Sequence, residues 1–135
     1  ITTYKLFEKI AINDVTPDIV IYLKDIFLEL EDVGFDVGID PKFNTTVASD
    51  QTAIVIYISS KKDLFLYSEI QDAVESSIDY MSSIGFVVIF FNVEKFISDY
   101  LPNEITRCYR HLDDIKLPDQ DDKLSWVMIK FNIPF

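Results

Sequence analysis

Hydrophobic and polar residues along the chain repeat at helical spacing in two separate stretches, each followed by residues of alternating character. In the first stretch, apolar side chains recur every three or four residues between Pro17 and Val33, which predicts a helix with one apolar face. Thr16 suits the N-cap, and Pro17 suits the first helical position. Gly34 is expected to end the helix in the left-handed conformation. Residues 35–40 then alternate, which predicts a strand with one solvent-facing side.

The second half of the chain repeats this plan with different residues. Ser68 and Gln71 match a capping box, and the apolar spacing that follows predicts a helix over residues 69–84. Gly85 is expected to end this helix, and residues 86–91, FVVIFF, predict a strand. Agreement of cap, period and glycine stop between the two stretches is the main evidence for both helices.

Further elements follow from shorter patterns. Residues 4–12 predict a strand, with a short amphipathic helix as the alternative, and AIVIYI predicts a strand that is buried on both faces. These two strands are predicted over 4–12 and 53–58. Two later helices are predicted over 94–101 and 104–115, and a last strand is predicted over 124–131.

The order β-α-β-β-α-β over residues 4–92 resembles the ferredoxin-like, split βαβ fold. This resemblance implies strand order 4-1-3-2, with both helices on one face of an α+β sandwich. We therefore expect one domain, 1–135, with a core at 4–92 and a C-terminal α-β extension at 93–135. If residues 4–12 are only an arm, the alternative is a duplicated α-β-β unit with a four-stranded antiparallel sheet.

The ferredoxin-like order would leave strand 86–91 at an edge of the sheet. FVVIFF is too apolar for an exposed edge, which would invite aggregation. We therefore predict that residues 124–131 pair with 86–91 and that the helix 104–115 forms part of the connection. The same pairing between two chains would give a homodimer through the C-terminal strand.

Composition narrows the possible partners and the compartment. The 135 residues include 23 acidic and 12 basic side chains, for a net charge of −11. Such a charge repels phosphate backbones and anionic lipid, so we expect neither nucleic acid nor membrane as a partner. Cys108 stands alone and so excludes an internal disulfide, and no apolar run approaches the roughly 20 residues of a membrane span. A cytoplasmic protein is expected, in a host cell or associated with a virion.

Candidate catalytic and metal-binding residues are few. Cys108 and His111 are three residues apart, whereas a transition-metal site usually needs three or four ligands. The acidic run at 119–122 lacks the glycine and distal glutamate of a calcium loop and is interpreted as a solvated turn. Nucleophile elbows, phosphate loops and dinucleotide motifs are absent from the sequence. We therefore predict no catalytic residue, metal or cofactor. An enzyme acting on a small ligand near Cys108, Arg110 and His111 remains an alternative.

One feature of the sequence points towards a partner. Each predicted helix carries an acidic stripe, and Lys24 is the only basic residue in either helix. Such stripes are either solvated outer faces or a docking surface for a basic partner. We predict a non-catalytic interaction or assembly module, with an acidic inhibitor or nucleic-acid mimic as the alternative. The candidate docking residues are Asp18, Asp25, Glu29, Asp32, Glu69, Asp72, Glu75 and Asp79.

One segment of the sequence also resembles known proteins in its amino-acid composition. The Asp-, Ile-, Phe- and Tyr-rich phrase YLKDIFLELEDVGFDVGI, residues 22–39, resembles small proteins of tailed, T4-like bacteriophages. The resemblance implies a virion component or a host-modifying protein.

Overall fold

The computed structural model describes residues 16–42, 53–109 and 117–133. Within these ranges the helices are α1, α2 and α3, and the strands are β1 to β6. The helices span Pro17–Ile26, Leu28–Asp32 and Gln71–Ser83, and a 3-10 turn spans Tyr67–Glu69. The strands span Phe35–Lys42, Ala53–Ser60, Phe65–Leu66, Val87–Lys95, Glu104–Tyr109 and Lys123–Asn132. The strand predicted over 4–12 lies outside the described residues.

All strands belong to one antiparallel sheet in the order β1-β2-β6-β4-β5, and the short β3 pairs with the start of β6. The α+β class is confirmed, and the sheet has six strands rather than the four of the duplicated-unit alternative. Because β2 and β4 both run antiparallel to β6, they are parallel to each other. They are joined through α3, and β6 lies between them, so the predicted C-terminal extension supplies a central strand.

The predicted pairing of residues 124–131 with 86–91 is confirmed, since β6 and β4 are neighbours and Ile129 lies opposite Phe91. Without β6, β4 would have one open edge, because only its other edge pairs with β5. β4 has β6 on one side and β5 on the other. β1 lies at one end of the sheet formed by the described residues, and β2, predicted as a strand that is buried on both faces, lies in its interior.

Two helix predictions in the C-terminal part are wrong. β4 continues to Lys95, into the range predicted as helix 94–101, and residues 104–109 form β5 rather than the first part of helix 104–115. Ile105 and Tyr109 are four residues apart and fit a helix, which caused the error. The apolar β4 instead offers an open edge, and the β-branched Ile105 and Thr106 suit a strand paired there.

Both predicted helix stops are confirmed. Gly34 and Gly85 have φ of +102° and +98°, which is the left-handed region that glycine adopts without strain. At the start of α1, the Thr16 side chain accepts a hydrogen bond from the Ile19 N–H at 3.4 Å. The first helix differs in one respect, because Phe27, with ψ of 2°, divides it into α1 and α2. Backbone hydrogen bonds still cross this point.

The predicted capping box at Ser68 is wrong. The helix α3 begins at Gln71 after a 3-10 turn, and the Glu69 carboxylate accepts the Leu66 N–H at 2.8 Å. The Ser68 N–H donates to the Gln120 carbonyl at 2.9 Å. This contact with the turn before β6 holds Ser68 in the connection and out of the helix.

The core lies between one face of the sheet and the helices. Alternate residues of β2 and β6 point towards the helices and are fully buried, whereas Tyr57 on the opposite face of β2 is 47% exposed. From the helices, Leu23, Phe27, Val74 and Met81 enter the same cluster. The helices on both sides of β1 and β2 in the chain order therefore contribute to one core on the same face of the sheet.

Candidate partner-binding cleft

A cleft of about 500 Å³ lies between α1–α2 and α3. Its floor is apolar and its rim is acidic. The lining residues are Tyr22, Asp25, Ile26, Glu29, Leu30, Glu69, Asp72, Ala73, Ser76 and Tyr80. We call this the α1–α3 cleft. Four of the eight predicted docking carboxylates, two from each helical segment, are thus brought to one place.

The two walls of the cleft run in opposite directions. Tyr22 lies against Tyr80 at one end, with ring centroids 4.1 Å apart and ring planes at 23°. Glu29, further along the first wall in α2, and Glu69, just before the start of α3, also line the cleft. The stacked rings lie at one end of the cleft, and carboxylates line both of its banks.

Local sequence explains why the acidic residues face outward. In α1 and at its C-cap, Ile19, Leu23 and Phe27 are buried at steps of four, so Asp18 and Asp25 fall on the solvent side. The start of α3 is held in place from outside the helix: the Tyr67 N–H donates to the Asp122 carbonyl at 3.0 Å. The side-chain amide of Gln120 adds a 2.9 Å bond to Gln71, which fixes the first turn of α3 beside the cleft.

All eight predicted docking carboxylates are exposed. Within the described ranges, none of them has a Lys or Arg nitrogen within 4.0 Å; the ion pairs there join Lys61 to Asp36 and Lys95 to Asp122. Lys24 lines a neighbouring cleft with Asp18, Ile21 and Leu28 and is not part of the α1–α3 cleft. The α1–α3 cleft therefore has a negative rim without a basic side chain in its lining.

The remaining docking candidates are not in the cleft. Asp18 lies near the tyrosine end, where its charge, after burial and Tyr22, helps to raise the pKa of Tyr80. Burial, and after it the charge of Glu75, raises the pKa of Tyr67. Asp32 and Asp79 line neither of the clefts on this side of the protein. The sequence placed eight residues on two stripes, and the structure brings four of them together.

Sequence reasoning missed the aromatic part of the cleft. Tyr22 and Tyr80 lie beside the buried apolar stripes of their helices. Each is one of several residues whose side chain ends in a polar group, so neither stood out in the sequence. The positions of Tyr22 and Tyr80 beside the two apolar stripes were the available signal, since both helices were expected on one face. Neither helix alone indicates that the two rings stack.

A second cleft, of about 260 Å³, lies between β4, β5 and the turn that precedes β6. Its polar groups include Lys95, Glu104, Asp119 and Asp122, and the Lys95 amine is 3.0 Å from the Asp122 carboxylate. The hydrogen bond and charge of Asp122 raise the pKa of Lys95, which keeps the amine protonated. A protonated amine is neither a nucleophile nor a general base.

The turn at 119–122, which was predicted to be solvated, is closed by the side chain of Asp122. The Asp122 carboxylate accepts the Asp119 N–H at 3.0 Å and also pairs with Lys95. In the described part of the chain, His, Cys, Asp and Glu form no group of three or more that could hold a metal ion. Of the proposed enzyme cluster, Arg110, His111 and the side chain of Cys108 lie outside the described residues.

Comparison of the chain with protein-family models, with curated proteins and with solved structures found no match. No helix among the described residues has the length and apolar character needed to cross a membrane.

Proposed function

We propose that this protein is a non-catalytic interaction or assembly module that binds a positively charged protein through the acidic face of α1, α2 and α3. The observation that carries the proposal is the α1–α3 cleft, where Asp25, Glu29, Glu69 and Asp72 surround an apolar floor with no basic side chain. Like charges held together on a surface repel one another. A basic partner relieves that repulsion, steers its own approach and gains specificity from complementary charge.

Binding of polylysine tests the proposal without knowledge of the natural partner. The test variant neutralises four helical carboxylates, and the control variant neutralises four exposed carboxylates elsewhere, so both have the same net charge. The test changes are Asp25→Asn, Glu29→Gln, Asp72→Asn and Glu75→Gln. The control changes are Asp63→Asn, Asp99→Asn, Glu104→Gln and Asp121→Asn.

We expect the test variant to bind polylysine about tenfold more weakly than the control variant at low salt. Added NaCl should weaken binding of the wild type and reduce this difference, because salt screens exposed charges. Equal losses in the two variants would show that only net charge matters and would refute a dedicated acidic face.

An acidic inhibitor or nucleic-acid mimic is a second candidate of the same kind. Carboxylates on both banks of the cleft support it, since they present negative charge to a basic protein in two rows, as the phosphates of a nucleic acid do. Such a mimic competes with DNA for its target. If duplex DNA fails to displace the protein from a captured basic partner, this candidate is excluded.

An enzyme acting on a small ligand has less support. The second cleft contains Lys95, whose amine is paired with Asp122, and the described residues around it provide no free base near a nucleophile. Assay of the purified protein against hydrolase and transferase substrate panels tests this alternative, and turnover that is lost on Lys95→Met would support it.

We also propose that the fold of this protein is related to the ferredoxin-like arrangement, with β6 in the position of that arrangement's first strand. Support comes from β2, α3 and β4, which form a βαβ unit with β6 inserted between the parallel strands. A homodimer stays a prediction, but β6 already pairs on both sides. A second copy would therefore have to pair with β1 or β5, the ends of the described sheet.

The phrase at residues 22–39 supports an origin in a tailed bacteriophage, as a virion component or a host-modifying protein, with a place in the host cytoplasm or on the virion. Mass spectrometry of purified virions distinguishes these two roles.

A further inference from the structure

We propose that the α1–α3 cleft binds an amphipathic α-helix of the partner, with an apolar stripe flanked by Lys or Arg. This inference rests on the proposed function and specifies which structural element of a basic partner is recognised. It follows from three properties of the cleft: its apolar floor, its acidic banks and the helical nature of its walls.

The floor of the cleft accepts apolar side chains. Ile26 and Leu30 are one helical turn apart on one wall, and Ala73 leaves room on the other wall because its side chain is short. The stacked rings of Tyr22 and Tyr80 add apolar surface at one end. Burying this surface under a partner removes apolar area from water and so favours binding. Basic side chains alone would leave the floor uncovered.

The banks of the cleft match the flanks of such a helix. Asp25 and Glu29 lie one turn apart on the first wall, and Glu69 and Asp72 lie three residues apart on the second. Lys or Arg residues on both sides of an apolar stripe would therefore meet carboxylates on both banks. At the end where the tyrosine rings stack, burial, Tyr22 and the charge of Asp18 raise the pKa of Tyr80. Negative charge thus extends along the cleft.

The walls favour a helix over an extended peptide. An extended segment needs backbone N–H and C=O partners, as a sheet edge provides. The walls of this cleft are helices, whose interior backbone groups are already bonded along the helix axis. A helical partner satisfies its own backbone groups and presents side chains at steps of three and four, the spacing of the residues that line the cleft.

Two synthetic peptides separate this proposal from attraction by charge alone. Both are about 14 residues long, a length at which a free helix is marginal, and both contain the same numbers of Lys and Leu. In the first, Leu recurs at helical spacing; in the second, Leu and Lys alternate, which suits a strand. We expect the first peptide to bind the wild type about tenfold more tightly and to gain helicity on binding, measured by calorimetry and circular dichroism.

Protein variants locate the binding site of the first peptide. Ala73→Leu fills the floor without a change of charge, and Ser82→Leu adds the same side chain to an exposed position of α3 outside the cleft. We expect Ala73→Leu to weaken binding of the helical peptide about tenfold, whereas Ser82→Leu and polylysine binding should remain as in the wild type. If Ala73→Leu does not fold, Ser76→Leu fills the same cleft from the next turn of α3.

Equal affinity for the two peptides would overturn the proposal, as would an unchanged affinity in both cleft-filling variants. Polylysine binding that still depends on the helical carboxylates would then leave the proposed function standing. Loss of that dependence as well would refute the proposed function itself. The two failures are therefore distinguishable.

Discussion

Replacement of Tyr67 by phenylalanine removes one polar atom from the centre of the protein. The Tyr67 side chain is only 1% exposed and belongs to the core cluster between the sheet and the helices. Its hydroxyl is buried and has no hydrogen-bond partner among the residues that the structure describes. Because a buried hydroxyl without a partner has lost its hydrogen bonds to water, folding carries a cost that the phenylalanine variant avoids.

The expected gain follows from two opposing terms. An unsatisfied buried polar group costs about 1–3 kcal/mol. Deleting the oxygen leaves a small void, and at about 24 cal/mol per Å³ a void of roughly 10–15 Å³ costs about 0.3 kcal/mol. Tyr67→Phe should therefore stabilise the protein by about 0.7–2.7 kcal/mol, which corresponds to a rise in melting temperature of roughly 2–11 °C for a chain of this size.

The same hydroxyl predicts a dependence on alkaline pH. Burial, followed by the charge of Glu75, raises the pKa of Tyr67 from 10.0 to about 12. Well below pH 10.0 the phenol is protonated in the folded and unfolded chains, and it contributes no pH dependence. Between pH 10.0 and about 12 the unfolded chain loses the proton first, so the wild type loses stability. The advantage of Tyr67→Phe should therefore grow across this interval.

Urea denaturation at about pH 7 and about pH 11 measures both effects. Tyr100→Phe is the matched control, because Tyr100 is 95% exposed and its replacement should change the free energy of unfolding by less than about 0.5 kcal/mol. If Tyr67→Phe destabilises the protein by more than about 0.5 kcal/mol, the hydroxyl has a partner in solution and the argument is refuted.

Three further predictions follow from the backbone and the sheet. Gly34→Val should cost about 1–3 kcal/mol more than Gly38→Val in thermal denaturation, because only Gly34 has a positive φ; equal melting temperatures would contradict this. Truncation after Pro118 removes the central strand β6 and should leave an unfolded or aggregated chain by circular dichroism and gel filtration, whereas a soluble folded fragment would show that β6 is dispensable. A hydrogen bond from Ser125 is the largest cause of the lowered pKa of Glu94, so Ser125→Ala should raise that pKa in an NMR titration. The lowered pKa stabilises the folded wild type at pH values above the pKa of the same carboxyl in the unfolded chain, and this stabilisation is lost as the pH falls. The variant should therefore lose less stability than the wild type on acidification; an unchanged titration would assign the lowered pKa of Glu94 to other groups.

The sequence determined the features that depend on neighbouring residues. Thr16 and Pro17 start α1, and Gly34 and Gly85 end the two helical regions, because caps and left-handed glycines act over one turn of chain. Apolar spacing also predicted which helix faces are buried, and therefore which carboxylates face solvent. The pairing of β6 with β4 was predictable because a strongly apolar strand needs a partner on its edge.

Only the tertiary structure decided where each strand lies and what the helices form together. Residues 104–109 have spacing that fits either a helix or a strand, and the open edge of β4 selected the strand. β6 became a central strand because β2 and β4, joined through α3, leave a gap between them that one antiparallel strand fills. The α1–α3 cleft arises in the same way. Tyr22 and Tyr80 are far apart in the chain, and their contact exists because both apolar helix faces cover the same side of one sheet.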